Sequence, residues 1–386
     1  MSSRLDKPED ILLVDDSAEN LRLLTQILSG QGYEVRAVTS GQRALASALV
    51  EPPSLILLDI RMPEMDGYQV CRELKGCEAT ENIPVIFISA LQDLQDKVDG
   101  FAAGGVDFVT KPFQPQEVLA RVEAHLTLQR LQRELVLANR RYEQELKLAG
   151  DLQISFLPPA PPQIAGYQIA LTLKPARETS GDFYDVFPLP NGAVGLLIAD
   201  VVDKGAAAAL FMALSLTLLR DQAVEHPLDP ARVLREVNRR LIAGTDGNRF
   251  VTVFYGSLDV GSGRLTYSNA GHNPPLLARA ASRESPTYLS RTGPLLGMLP
   301  EQAWQTSTTT LEPGDALVLY TDGITEAQGS AGDLYGMERL EAVVREACLR
   351  SACEVQEHIL ASVQGFLGDA PQWDDIALMV LRRDQV

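Results

Sequence analysis

Short apolar runs alternate with amphipathic stretches through the first third of the chain. Residues 11–14 are apolar and end in Asp15-Asp16; Ser17 then stands where it would cap a helix reaching Ser29, closed by Gly30 and Gly32. Residues 34–38 read as a strand, followed by Thr39-Ser40 and a helix through Val50. Residues 55–58 end in Asp59, 85–88 end in Ser89, and 107–110 end in Lys111-Pro112. Five short strands between helices predict an open parallel α/β sheet, in which ligands bind at the carboxyl ends of the strands.

From Gln116 the pattern becomes helical for about ten turns. Leu128, Leu131, Leu135, Ala138, Tyr142, Ala149, Leu152 and Phe156 recur at three-four spacing, with Glu145 as a polar break. This reads as a coiled-coil seam, or as one long helix packed on its own domain. The proline-rich stretch from Pro158 ends it. Beyond lie strand candidates at 168–173, 192–199, 251–258, 265–268, 316–320 and 376–381. Helices are predicted at 206–223, from Asp229 with Pro230 in the first turn, at 337–347 and at 353–367. Strands with helices inserted in pairs predict an α+β layered sandwich.

Composition narrows the functions. The 386 residues give room for two domains and a connector, and the net charge of −17 argues against non-specific binding to nucleic acid or to an anionic membrane. Cys71, Cys77, Cys348 and Cys353 lack the paired spacing of a zinc site or a disulfide framework, so a reducing, cytoplasmic setting is expected. No signal-type core is seen, and no apolar run approaches the roughly 20 residues of a membrane helix.

Candidate chemistry gathers at the strand ends. Asp15, Asp16 and Asp59 beside Lys111 and Ser89 could bind a divalent ion and accept a phosphoryl group, although acids, serine and lysine also occupy strand ends simply because these are exposed. A second set lies downstream. Asp182 and Asp185 precede the apolar run 193–199, Asp200 follows it, Asp322 follows the strand at 316–320, and Asp374-Asp375 precede the last strand. Such carboxylates suit hard divalent ions.

The first set, with VDD, LLDIRMPEMDG, ISA and DFVTKPF over residues 8 to 125, resembles a response-regulator receiver domain of flavodoxin-like fold. The resemblance implies that Asp59 is the phosphoacceptor. It implies a magnesium ion held by Asp16, Asp59 and the Arg61 backbone carbonyl, with Asp15 acting through water. Ser89 and Lys111 would sense the phosphoryl group, and Phe108 occupies the switch-aromatic position unless it is plain core. A sensor histidine kinase would be the phosphoryl donor.

The motifs SGDFYD, IADVVDKG, NAGHNPP, LYTDGITEA and WDDIALMV resemble the metal-dependent PPM (type 2C) serine/threonine phosphatases, a β-sandwich flanked by helices. The nearest group is the bacterial branch of stage II sporulation protein E and the sigma-factor regulatory phosphatases. The resemblance implies two manganese or magnesium ions held by Asp182, Asp200, Asp322, Asp374 and the Val201 carbonyl, with Asp200 bridging them. Two ions about 3.5–4 Å apart orient a water-derived nucleophile for in-line attack without a protein nucleophile. Val202 replaces the histidine of animal relatives. Asp203, where many members have glycine, is either an acid behind the ligands or an exposed turn residue. His272 reads as a turn histidine rather than a ligand, and Asn248 and Arg249 as weak phosphate-contact candidates.

The expected organisation is a receiver at 8–125, a coiled-coil connector at 126–157 that makes a homodimer, and a phosphatase domain at 158–386. The expected substrate is a phosphorylated anti-sigma factor antagonist. The competing reading is a non-catalytic adaptor whose phosphatase-like module only binds a partner under receiver control.

Overall fold

The computed structural model describes residues 9–89, 94–244, 249–282 and 284–385. Ala90 of the ISA stretch and Asn248 lie outside them. The chain divides into two compact units, Met1–Asn139 and Arg140–Val386.

In the first unit, β1 (Asp10–Val14), α1 (Ala18–Ser29), β2 (Glu34–Val38), α2 (Gly41–Val50), β3 (Leu55–Asp59), α3 (Gly67–Lys75), β4 (Val85–Ser89), α4 (Leu94–Ala102) and β5 (Asp107–Thr110) alternate as the pattern predicts. The strands form one parallel sheet, ordered β2-β1-β3-β4-β5. Helices cover both faces, so β3 and β4 are buried at every position and read as unbroken apolar runs. Ser17 caps α1 by accepting the Asn20 N–H, and Asp66 with Gln69 forms a capping box on α3. Parallel pairing brings the carboxyl ends of β1, β3, β4 and β5 to one edge.

Helix α5 runs unbroken from Pro115 to Ile154. It stops short of Phe156, so the last position of the predicted seam falls in the turn after the helix. Leu128, Leu131, Leu135, Tyr142 and Leu152 are each more than half exposed along it.

The second unit comprises β6 (Tyr167–Lys174), β7 (Phe183–Pro188), β8 (Val194–Val201), α6 (Ala206–Glu225), α7 (Pro230–Gly244), β9 (Val251–Leu258), β10 (Arg264–Ala270), β11 (Leu276–Ala278), β12 (Thr287–Tyr288), β13 (Ser307–Thr310), β14 (Ala316–Tyr320), α8 (Asp322–Thr325), α9 (Gly336–Ala347), α10 (Ala352–Leu367) and β15 (Ile376–Arg383). Two antiparallel sheets, ordered β13-β10-β9-β8-β7 and β12-β11-β14-β15-β6, pack face to face. Ile198, Phe254 and Leu196 meet Leu319, Met379 and Leu381 between them. The outer face of the first sheet is covered by α6 and α7, and that of the second by α9 and α10.

Three sequence expectations change here. β7 is a full strand although its sequence, FYDVFP, did not read as one. Asp200 lies inside β8, opposite Thr252, rather than after the strand. Finally, α6 is long and apolar enough to cross a membrane by length and composition, contrary to the expectation of no such run; half of it is buried, and its inner face helps form the core beside the first sheet.

Candidate functional site

At the receiver edge, Asp15, Asp16 and Asp59 bring carboxylate oxygens within 4.8 Å of one another, the one group of three or more metal-binding side chains that meet so closely among the described residues. Asp15 is fully buried. Its oxygens accept the Ser17 N–H at 2.8 Å and the Asn20 amide at 3.0 and 3.1 Å. Lys111 Nζ bridges it to Asp59, at 2.9 Å and 2.7 Å. Asp16, by contrast, is exposed and lines an open hollow with Arg61, Asp66 and Tyr68. Burial, reinforced by Asp15, holds the Asp59 carboxyl above its ordinary range, while the Lys111 bond opposes the shift. Ser89 is buried at the end of β4, and Phe108 is buried against Phe87 and the half-exposed Phe101. These are the places predicted to supply the switch.

In the second unit, β7 and β8 of one sheet and β14 and β15 of the other bring their acid-bearing ends together. Asp182, just ahead of β7, is only 2% exposed, and its Oδ2 has no hydrogen-bond partner. Burial, then the charge of Asp200, pushes its carboxyl well above the ordinary range. Asp200 is pushed up to about 7 by burial and by Asp322. Asp322, at the start of α8, is pushed up to about 6 by burial, Glu326 and Asp374. Asp374 is the most open of the four at 44% and pairs with Lys204 at 2.9 Å. Acids that raise one another and leave a buried oxygen without a donor are a poor arrangement without cations and a suitable one with them. The donor set therefore fits divalent ions.

The neighbouring acids are spent elsewhere. Asp375 accepts the Ala176 N–H at 2.7 Å and the Gly181 N–H at 2.8 Å, which ties the loop before Asp182 to the start of β15. Asp185 pairs with Arg220 and accepts its neighbour Val186 N–H. Gly323 sits so close to Asp375 that a Cβ there would collide with the carbonyl oxygen. A side chain would force α8, which carries Asp322, away from β15.

His272 is buried. Its ring Nδ1 lies 2.8 Å from the Thr252 hydroxyl, and burial depresses it to about 3. Val202 is half-exposed, and Asp203 is an exposed residue with φ of 124°. The Arg249 backbone lies against Gly297. Sequence reasoning passed over Lys204, whose amine also donates to the Trp373 carbonyl at 2.9 Å; the one available signal was a lone basic residue inside an acidic motif.

Residues 190–384 match the family model of stage II sporulation protein E, and residues 11–123 match the response regulator receiver domain. The chain belongs to the stage II sporulation protein E family. Phosphoserine phosphatase RsbU of Bacillus subtilis is 30% identical over 262 residues, 68% of this chain and 74% of RsbU. Protein IcfG of a Synechocystis strain is 31% identical over 268 residues, 62% of this chain, which spans only 42% of IcfG's length. Among solved structures, the PP2C domain of SiaA from Pseudomonas aeruginosa superposes with a TM-score of 0.57 at 21% identity, covering 64% of this chain and 99% of that domain; it shows the fold. A receiver joined to a stage II sporulation protein E domain is the organisation of a phosphatase-type regulator.

Proposed function

We propose that the protein hydrolyses phosphoserine or phosphothreonine on a regulatory protein, under control of phosphorylation at Asp59. One observation carries the reading: Asp182, Asp200 and Asp322 raise one another's carboxyls, with Asp374 beside them and one buried oxygen of Asp182 orphaned. Two manganese or magnesium ions, held by these acids with the Val201 carbonyl, would supply a water nucleophile and neutralise charge on the phosphoryl oxygens. Asp182 and Asp200 hold the buried side of the site and Asp322 and Asp374 its open side. Lys204 keeps Asp374 oriented and adds positive charge where a phosphate dianion arrives. The absence of a histidine at Val202 leaves protonation of the leaving hydroxyl to water, which predicts modest turnover. In the receiver, Asp16, Asp59 and the Arg61 carbonyl hold magnesium, and a sensor histidine kinase supplies the phosphoryl group. Ser89, Phe108 and Lys111 respond to it.

The substrate we infer is a phosphorylated anti-sigma factor antagonist, on the strength of the family and of the relative named a phosphoserine phosphatase. The receiver at 8–125, connector at 126–157 and phosphatase domain at 158–386 are the working division, with the exposed apolar positions of α5 pairing two copies. Four free cysteines fit a cytoplasmic protein. The test is hydrolysis of a phosphoserine protein by the full chain in manganese, with and without prior acetyl phosphate. Activity that changes on Asp59 phosphorylation is expected. A chain that binds manganese yet hydrolyses nothing in either state leaves the adaptor reading in its place.

A further inference from the structure

The last turns of α5 lie directly on the loop that presents Asp182. Gly150 has no room for a side chain, because a Cβ would strike the Glu178 carbonyl oxygen. One turn on, on the same face, Gln153 is 4% exposed and uses both ends of its amide on Ser180. Its Nε2 donates to the Ser180 carbonyl, and its Oε1 accepts the Ser180 N–H at 2.9 Å. The Ser180 hydroxyl in turn accepts the Asp182 N–H at 3.0 Å and donates to the Asp182 carbonyl at 3.1 Å. From the opposite side Asp375 takes the Gly181 N–H. The backbone donors of residues 180, 181 and 182 are thus all fixed, the first of them by a side chain of α5.

We propose that Gln153 is a positioning residue for the metal site: through Ser180 it sets the backbone that aims the Asp182 carboxylate, so the end of α5 is a working part of that site. This rests on the reading of Asp182 as a metal-holding acid. Asp182 Oδ2 makes no hydrogen bond of its own, so beyond the side-chain bond to Thr321 the aim of the carboxylate is set by how the backbone is held. Losing such an outer partner typically costs a metal site about 10–100-fold in affinity.

The test measures manganese binding to the full chain by titration calorimetry, taking as the site's signal the part that Asp182→Asn abolishes. Gln153→Met keeps the side chain's bulk and removes both hydrogen bonds. Affinity about tenfold weaker than wild type is expected, and Ser180→Ala added to it should weaken binding less than the two losses summed, because both act along one chain of bonds. Binding within twofold of wild type in folded Gln153→Met would overturn the proposal and assign Gln153 to packing alone. If that variant does not fold, Gln153→Glu, which keeps the acceptor for the Ser180 N–H but sets a carboxylate against the Ser180 carbonyl, decides by the same criterion. Wild-type protein with no Asp182-dependent manganese binding would instead refute the metal site itself.

Discussion

Replacing Asp182 by asparagine should make the metal-free protein more stable and the metal-loaded protein useless. The wild-type carboxylate is buried, carries an oxygen with no donor, and faces the charges of Asp200, Asp322 and Asp375. Asparagine has the same shape, removes the charge, and offers an N–H to Asp200. Relieving a buried polar group of this kind contributes on the order of 1–3 kcal/mol, so in EDTA the variant should unfold at higher denaturant than wild type. Manganese at a hundred times its dissociation constant stabilises the wild type by about 2.7 kcal/mol. The variant should gain almost nothing from that site, so the order of stability closes or reverses. The assay is urea unfolding of both proteins in EDTA and in manganese, with hydrolysis followed in parallel. A variant less stable than wild type in EDTA, yet equally stabilised by manganese and still active, would show that Asp182 is a structural acid.

Asp59→Ala should abolish labelling by acetyl phosphate while leaving manganese-dependent hydrolysis measurable; a variant that still takes phosphate would mean that another side chain is the acceptor. Light scattering at micromolar concentration should find a dimer in the full chain and a monomer when Leu128, Leu131 and Leu135 are all made lysine, whereas a monomeric wild type removes the paired helix. His272 has its pKa depressed from 6.5 to about 3, so its contribution to stability is fully present above the unfolded value and is lost as pH falls from about 6.5 towards 3. The difference is worth up to roughly 5 kcal/mol. His272→Asn, which keeps an atom for Thr252, should therefore flatten the acid side of the stability profile, and unchanged slopes in denaturant titrations across that range would refute it.

The parallel sheet was legible because β3 and β4 are buried on both faces and carry no polar interruption. Helix α5 was legible from its period, although its end was not: nothing in the spacing says that Phe156 lies past the last turn. β7 escaped because Asp185 breaks its apolar run, and the partner that makes that charge tolerable, Arg220, comes from α6. β13 escaped because its sequence, STTT, carries no apolar face. The acids themselves stand out in their motifs, but their division of labour does not. Asp374 and Asp375 are neighbours, and only the fold reveals that one pairs with Lys204 while the other secures two backbone N–H groups. Gln153 had no signal at all, since its meaning lies in a loop 27 residues away.

The pairing of β6 with β15 sets a timetable for biosynthesis. β6, at the sheet's edge, is hydrogen-bonded to β15, and contacts between them span as many as 216 residues. Asp374 and the Asp375 side chain that ties down the Asp182 loop arrive with that same late segment. A nascent chain can therefore finish its receiver and its first sheet long before its second sheet closes, and contacts of such separation form slowly. An incomplete chain on the ribosome would already carry Asp15, Asp59 and Lys111 together but not yet Asp374 and Asp375, so the acidic edge of the first unit is complete before the acids of the second can meet.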